Sequence, residues 1–129
     1  MMQSAGRPSA SITIQLDDVP IVSKKNKMRV GRGRVYKPQD VQDFEHALQK
    51  AAAEVVCQIP DWQPLTGNIQ LELHCQFPDR RRRDLHNCFD TVCDALQDVV
   101  YVDDNQIFQV FAKKSIGKTW SLTITVSEI

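Results

Sequence analysis

From Ile69 to Phe77 the chain alternates without exception, with Ile69, Leu71, Leu73, Cys75 and Phe77 on one side and Gln70, Glu72, His74 and Gln76 on the other. A strict period of two over this length fits an extended strand with one face buried and the other polar. Pro78 ends it, because proline has no N–H to give to a ladder. The same alternation marks two more strands. Ile12, Ile14 and Leu16 alternate with Thr13, Gln15 and Asp17, and Trp120, Leu122, Ile124 and Val126 with Ser121, Thr123, Thr125 and Ser127. Ile107 to Lys113 reads as a further strand. A polar second face on most strands calls for helices on one side only, which excludes a doubly wound sheet.

Two segments supply those helices. After Pro38, suited to a first helical turn, Val41, Phe44, Leu48, Ala51, Ala52 and Val55 recur at spacings of three and four, to about Cys57. A second helix begins near Asp84, whose short carboxylate suits an N-cap, and stops between Val100 and Asp104. Its Leu85, Phe89, Val92, Cys93 and Leu96 form one stripe, while His86, Asn87, Asp90, Asp94 and Asp98 lie opposite. The expected fold is α+β, in the order β-α-β-α-β-β: a mixed four-stranded sheet with two helices packed on one face. It forms a single domain over residues 11–129, after a flexible arm at residues 1–10.

At 129 residues and 42% hydrophobic the chain suffices for one core. No run approaches the roughly 18 apolar residues of a membrane span, and the N-terminus lacks the pattern of a signal peptide. Cys57, Cys75, Cys88 and Cys93 have no CxxC spacing and fall inside regular segments, so they are expected to be reduced, mostly buried thiols in an intracellular protein. His46, on a helix, and His74, on a polar strand face, read as ordinary surface or half-buried histidines. Trp62, Tyr36 and Trp120 read as packing residues before base-stacking ones. Neither G-x-x-x-x-G-K-[ST] nor G-x-G-x-x-G occurs, so no nucleotide cofactor is expected.

The formal net charge of zero conceals a segregation into blocks. Residues 1–37 carry eight Lys/Arg against two Asp, and residues 38–79 carry one Lys against seven acids. Arg80, Arg81, Arg82 and Arg83 follow, and residues 84–105 then hold six Asp and no cation. Four adjacent guanidinium groups repel one another unless they are solvated or matched to a polyanion, and phosphate is the natural one. Lys24, Lys25, Lys27, Arg32 and Arg34, around Gly31 and Gly33, read as a second phosphate-contacting element, a basic loop with a hairpin-like tip between Met28–Val30 and Arg34–Tyr36. Asp84 and the Asp103–Asp104 pair offer hard oxygen ligands for a divalent cation, the usual means of neutralising a phosphodiester and activating water. They meet only if the chain after the helix runs back toward its start.

The stretch from Pro78 to Asn87 resembles the signature PDRRRRDLDN of the RusA family of Holliday-junction resolvases, matching nine of its ten positions. The resemblance continues through Asp94-Ala95-Leu96 to Tyr101-Val102-Asp103-Asp104-Asn105-Gln106, similar to the family's second acidic motif. It implies a small homodimeric endodeoxyribonuclease that nicks paired strands of a four-way DNA junction in recombination and repair. It also implies dependence on Mg²⁺, or Mn²⁺, and a bacterial or prophage-encoded protein acting at the cytoplasmic nucleoid. Carried onto this chain, it makes Asp84 and Asp104 metal ligands, with Asp103 beside them, and gives the arginine run and Asn87 to DNA. Two positions depart: the second motif aspartate is His86, and a lysine that members can carry four residues on is Asp90. Asp90 is read as supplying the carboxylate missing at position 86, with His86 pairing with it, ligating a softer ion or moving a proton. The alternative function is a branched-DNA or other nucleic-acid binding module that does not cut.

Overall fold

The computed structural model describes residues 11–22, 29–31, 34–36 and 38–129. Lys24, Lys25, Lys27, Arg32 and the arm at residues 1–10 lie outside the described residues, and Arg34 is described in its backbone alone. Strand β1 (Ser11–Asp17) is followed by a short antiparallel hairpin of β2 (Arg29–Gly31) and β3 (Arg34–Tyr36), then α1 (Gln39–Val56), β4 (Ile69–Phe77), α2 (Leu85–Leu96), β5 (Ile107–Ile116) and β6 (Ser121–Glu128). The α+β architecture expected from the patterning is therefore present. The four long strands form one mixed sheet in the order β1-β6-β4-β5. β6 pairs antiparallel with both β1 and β4, whereas β4 and β5 run parallel, joined by α2 as a crossover.

The alternation dictates which face is covered. Ile12 and Ile14, Leu71, Leu73 and Cys75, and Leu122, Ile124 and Val126 are buried beneath the helices with Phe44, Leu48, Val92 and Leu96. On the other face the strands zip through hydroxyls: Ser11 to Ser127 at 3.2 Å and Thr13 to Thr125 at 3.1 Å, with the Thr123 hydroxyl donating to Gln15 Oε1 at 2.6 Å. Among the described residues, no helix is long and apolar enough to cross a membrane.

Helix α2 stops at Leu96, earlier than its hydrophobic pattern suggests, for two reasons. Asp98 takes a left-handed backbone, φ 71°, which Asp tolerates better than most residues. The chain then doubles back, and the buried Tyr101 hydroxyl donates to the carbonyl of Cys93 at 2.6 Å. A short 3₁₀ turn, Asp104–Gln106, leads into β5 and is closed by a capping box: Asp103 accepts from the Asn105 N–H at 3.0 Å, and its own N–H donates to Gln106 Oε1 at 2.7 Å. The buried Gln106 amide donates to the carbonyls of Leu65 and Gly67, tying this turn to the approach to β4. β5 is longer than its sequence pattern implied, reaching Ile116, because the β4 ladder continues to Phe77 and carries its neighbour with it. At the β5–β6 turn, Gly117 lies so close to the Gln76 side chain that a Cβ there would meet it at 2.5 Å.

The four cysteines are unbridged, with Cys75, Cys88 and Cys93 buried and Cys57 exposed. Burial, joined by nearby Cys88, pushes the Cys75 thiol up to about 12. Burial raises Cys88 to about 11, with Asp84 adding to it, and raises Cys93 to about 12 against a hydrogen bond from Tyr101. In the unfolded chain these thiols release their protons first, near 9. Stability is therefore expected to hold below pH 9 and to fall above it by roughly 1.4 kcal/mol per pH unit for each thiol, up to about pH 11 for Cys88 and about pH 12 for Cys75 and Cys93. Thermal unfolding in reductant from pH 8 to pH 11 measures this, and a flat melting temperature over that range would contradict it.

Candidate functional site

The site is assembled at the end of β4, where the strand delivers the chain into the arginine run. Asp79 organises the turn, its Oδ1 accepting from the Arg81 N–H at 2.9 Å and from Arg83 Nη1 at 2.8 Å. The Arg83 hydrogen bond, followed by that of Arg81, holds the Asp79 carboxyl below its ordinary value. Arg83 also donates to the Asp79 carbonyl at 3.3 Å. Its guanidinium carbon lies 4.8 Å from the Phe77 ring centre and 4.9 Å from that of Trp120, two rings that meet nearly edge to face. With 16% of its side chain exposed, Arg83 is built into the turn rather than displayed on it. Arg80, Arg81 and Arg82 are exposed, and among the described residues their side chains form no hydrogen bond or ion pair. The run of four thus divides into three outward guanidiniums and one that holds the turn in shape.

Asp84 follows directly as the N-cap of α2, its Oδ1 accepting from the His86 N–H at 3.0 Å. The cap explains why the helix starts here: the side chain satisfies one of the unpaired first-turn N–H groups, and the carboxylate sits at the positive end of the helix dipole. One oxygen serves the cap, and the exposed carboxylate still faces the arginine turn. A cleft of about 620 Å³ runs between that turn and the loop after β1, lined by Ile21, Val22, Arg81, Arg82, Asp84 and Trp120 among others. Asn87 lies on the same wall.

Next along the helix, His86 Nε2 stands 3.8 Å from Asp90 Oδ2, within ion-pair range but beyond a hydrogen bond, and both side chains are open to solvent. The i, i+4 pairing expected from the spacing is present in this loose form. No sequence pattern marks Lys114, yet its Nζ donates to the Arg83 carbonyl at 3.0 Å and brings an ammonium to the residue before Asp84. Only the parallel register, which sets Lys114 opposite Cys75 near the end of β4, reveals this.

Asp104 lies elsewhere. Its N–H donates to Gln97 Oε1 at 3.4 Å, at the C-terminal end of α2, and Asp103 beside it is occupied as a cap. The 12 residues of α2 span about 18 Å between these ends. β5 does run back toward the helix start, as a meeting of the acids required, but Asp104 precedes it. Among the described residues, no three His, Cys, Asp or Glu side chains are grouped to hold a metal ion. The fold brings Arg81, Arg82, Asp84 and Asn87 around one cleft, with His86 and Asp90 on the adjoining helical turn. It leaves Asp103 and Asp104 at the far end.

Two comparisons bear on this arrangement. The chain is 27% identical over 109 residues to a protein from Aquifex aeolicus (strain VF5) described as crossover junction endodeoxyribonuclease RusA, covering 83% of this chain and 82% of that one. The family described as endodeoxyribonuclease RusA matches residues 18–127, a span that contains the arginine turn, both acidic segments, β2 to β5 and all but the last residue of β6. With the signature embedded in that match and displayed at one end of the sheet, the chain belongs to the RusA endodeoxyribonuclease family.

Proposed function

We propose that this chain is an endonuclease that nicks four-way DNA junctions. The observation that carries the reading is the juxtaposition, at one end of β4, of three outward arginines with a helix-capping carboxylate beside an open cleft. Guanidiniums in this position neutralise and register successive backbone phosphates, and the carboxylate stands where a phosphodiester so held would lie. The name of the Aquifex relative, which speaks of crossover junctions, supports branched DNA over linear duplex. Mg²⁺ or Mn²⁺ belongs to the reading as the required ion, although among the described residues no three His, Cys, Asp or Glu side chains are grouped to hold it. The place of action is the cytoplasm, at the chromosome.

The test is purified protein with a labelled synthetic four-way junction and matched linear duplex, in Mg²⁺, in Mn²⁺ and in EDTA. Junction-specific nicks that disappear in EDTA are expected. Junction binding with no nick in either metal would replace this reading by that of a binding module, which His86, an imidazole where the family signature has an acid, keeps in contention. The arginines separate in the same assay. Arg82→Ala is expected to weaken junction binding and lower the slope of log affinity against log salt by about one phosphate contact, leaving the melting temperature unchanged. Arg83→Ala is expected to lower the melting temperature as well, because the turn loses its anchor.

A further inference from the structure

The cleft beside the arginine turn has a lining that phosphate contacts do not require. Arg81, Arg82 and Asp84 on it are exposed, whereas Ile21 is 5% exposed and Val22 and Trp120 are half-buried, so charge stands at its mouth and apolar surface deeper in. A phosphate seated against Ile21 and Val22 would lose water and gain no side-chain donor there, a heavy cost for a charged group. A nucleobase, with apolar faces and a polar edge, fits both parts of the lining. Trp120 provides a flat wall on which the Arg83 guanidinium already lies, 4.9 Å from its ring centre, and indole and guanidinium planes are surfaces on which unpaired bases stack. Half-buried Asn87, three residues beyond Asp84 on the same side of α2, adds a carboxamide with both a donor and an acceptor. Among the described residues that carboxamide makes no hydrogen bond. The volume, about 620 Å³, falls in the range of small-molecule sites, so the cleft takes a single unstacked base but not a duplex.

Removing a base from an intact duplex breaks its pairing and stacking, and the penalty is smallest where the stack is already interrupted, as it is at the exchange point of a four-way junction. We infer that the cleft receives one unstacked nucleobase from beside that point, stacked against Trp120 with its edge on Asn87. The phosphate of the same nucleotide then lies at the mouth, between the outward arginines and Asp84. A linear duplex gives up no base, so its backbone is bound by the arginines without being brought into register with Asp84. The inference rests on the nuclease reading above and adds the group by which a branched substrate is told from a linear one. Ile21 and Val22 join the site only through the fold, since they lie far from the arginine run in a stretch that no charge or motif marks.

The test is a base-deletion cycle on the full chain in EDTA, where a junction is bound and not cut. Synthetic junctions each lack one base, replaced by an abasic sugar at successive positions beside the exchange point. At one position wild type is expected to bind the abasic junction about tenfold more weakly than the intact one, the value of a lost base–aromatic stack. Val22→Phe fills the cleft, so it is expected to bind the intact junction as weakly as wild type binds the abasic one, and to lose nothing further when the base is removed. Asn87→Ala, which leaves the walls in place, is expected to narrow the difference between the two junctions, and it carries the cycle if melting shows Val22→Phe unfolded. Linear duplex is expected to bind wild type and both variants equally. 5-Iodouracil at the sensitive position is expected to crosslink to Trp120 on irradiation, as located by mass spectrometry. The inference is overturned if no abasic position weakens wild type, if the loss is as large in the variants as in wild type, or if Val22→Phe weakens duplex and junction alike. Nicking in Mg²⁺ or Mn²⁺ is scored separately. A wild type that binds the junction and never nicks it ends the nuclease reading while the cycle still decides the cleft, and one that nicks with no loss at any abasic position ends only the inference. Absence of junction binding by wild type ends both.

Discussion

Asp84→Asn is expected to lower the junction-nicking rate by more than about a hundredfold while leaving the fold and junction binding nearly intact. The separation follows from what each atom of the side chain does. Asn is as good an N-cap as Asp, so its amide oxygen takes over the bond from the His86 N–H and the start of α2 is preserved. Lost are the negative charge and the second hard oxygen; loss of even an indirect partner of a metal ligand costs about 10- to 100-fold, so if Asp84 is a direct donor, as the nuclease reading proposes, its loss should cost more. Binding should hold, or tighten at low salt, because a carboxylate next to phosphates repels them. Circular dichroism, thermal melting and a gel shift read the fold and binding, and single-strand nicking of a labelled junction reads the rate. An Asp84→Asn protein that nicks within threefold of wild type would remove Asp84 from the reaction.

Phe77→Ala is expected to cost about 3–5 kcal/mol of stability, the range for truncating a buried aromatic. Phe77 is 1% exposed at the end of β4, and its ring supports two further groups: Trp120, edge to face with centroids 5.8 Å apart, and the Arg83 guanidinium. Truncation removes core volume and also one wall of the corner that holds Arg83, so the arginine turn should loosen before the sheet does. Urea unfolding gives the first effect. The second appears as weakened junction binding at temperatures where the variant is still folded, and Phe77→Leu, which refills most of the volume without an aromatic face, should recover most of the stability and less of the binding. Equal recovery of both by Leu would show that the ring's contact with Arg83 contributes nothing beyond packing.

The sequence by itself determined the elements and the face each of them buries. Periods of two and 3.6 are local properties, set by which side of a strand or helix successive side chains occupy, so β1, β4, β6 and the two helices could be read directly from Ile12, Leu71, Leu122, Phe44 and Val92. The arginine run and the Asp84 cap were legible for the same reason, since a turn and a helix start are made by adjacent residues. What only the tertiary structure decided depends on partners far away in the chain. Nothing in four identical arginines tells which one turns inward; Arg83 does so because Phe77 and Trp120, 43 residues apart, form a corner at its position. Nothing in β5 announces an edge strand, because its exposure follows from the sheet order rather than from its own pattern. Lys114 reaches the site through the parallel register with β4, and Asp104 misses it because a parallel crossover returns the chain to the opposite end of the sheet. A motif lists the groups that a site requires, but the path of the backbone between them decides whether one chain can bring them together.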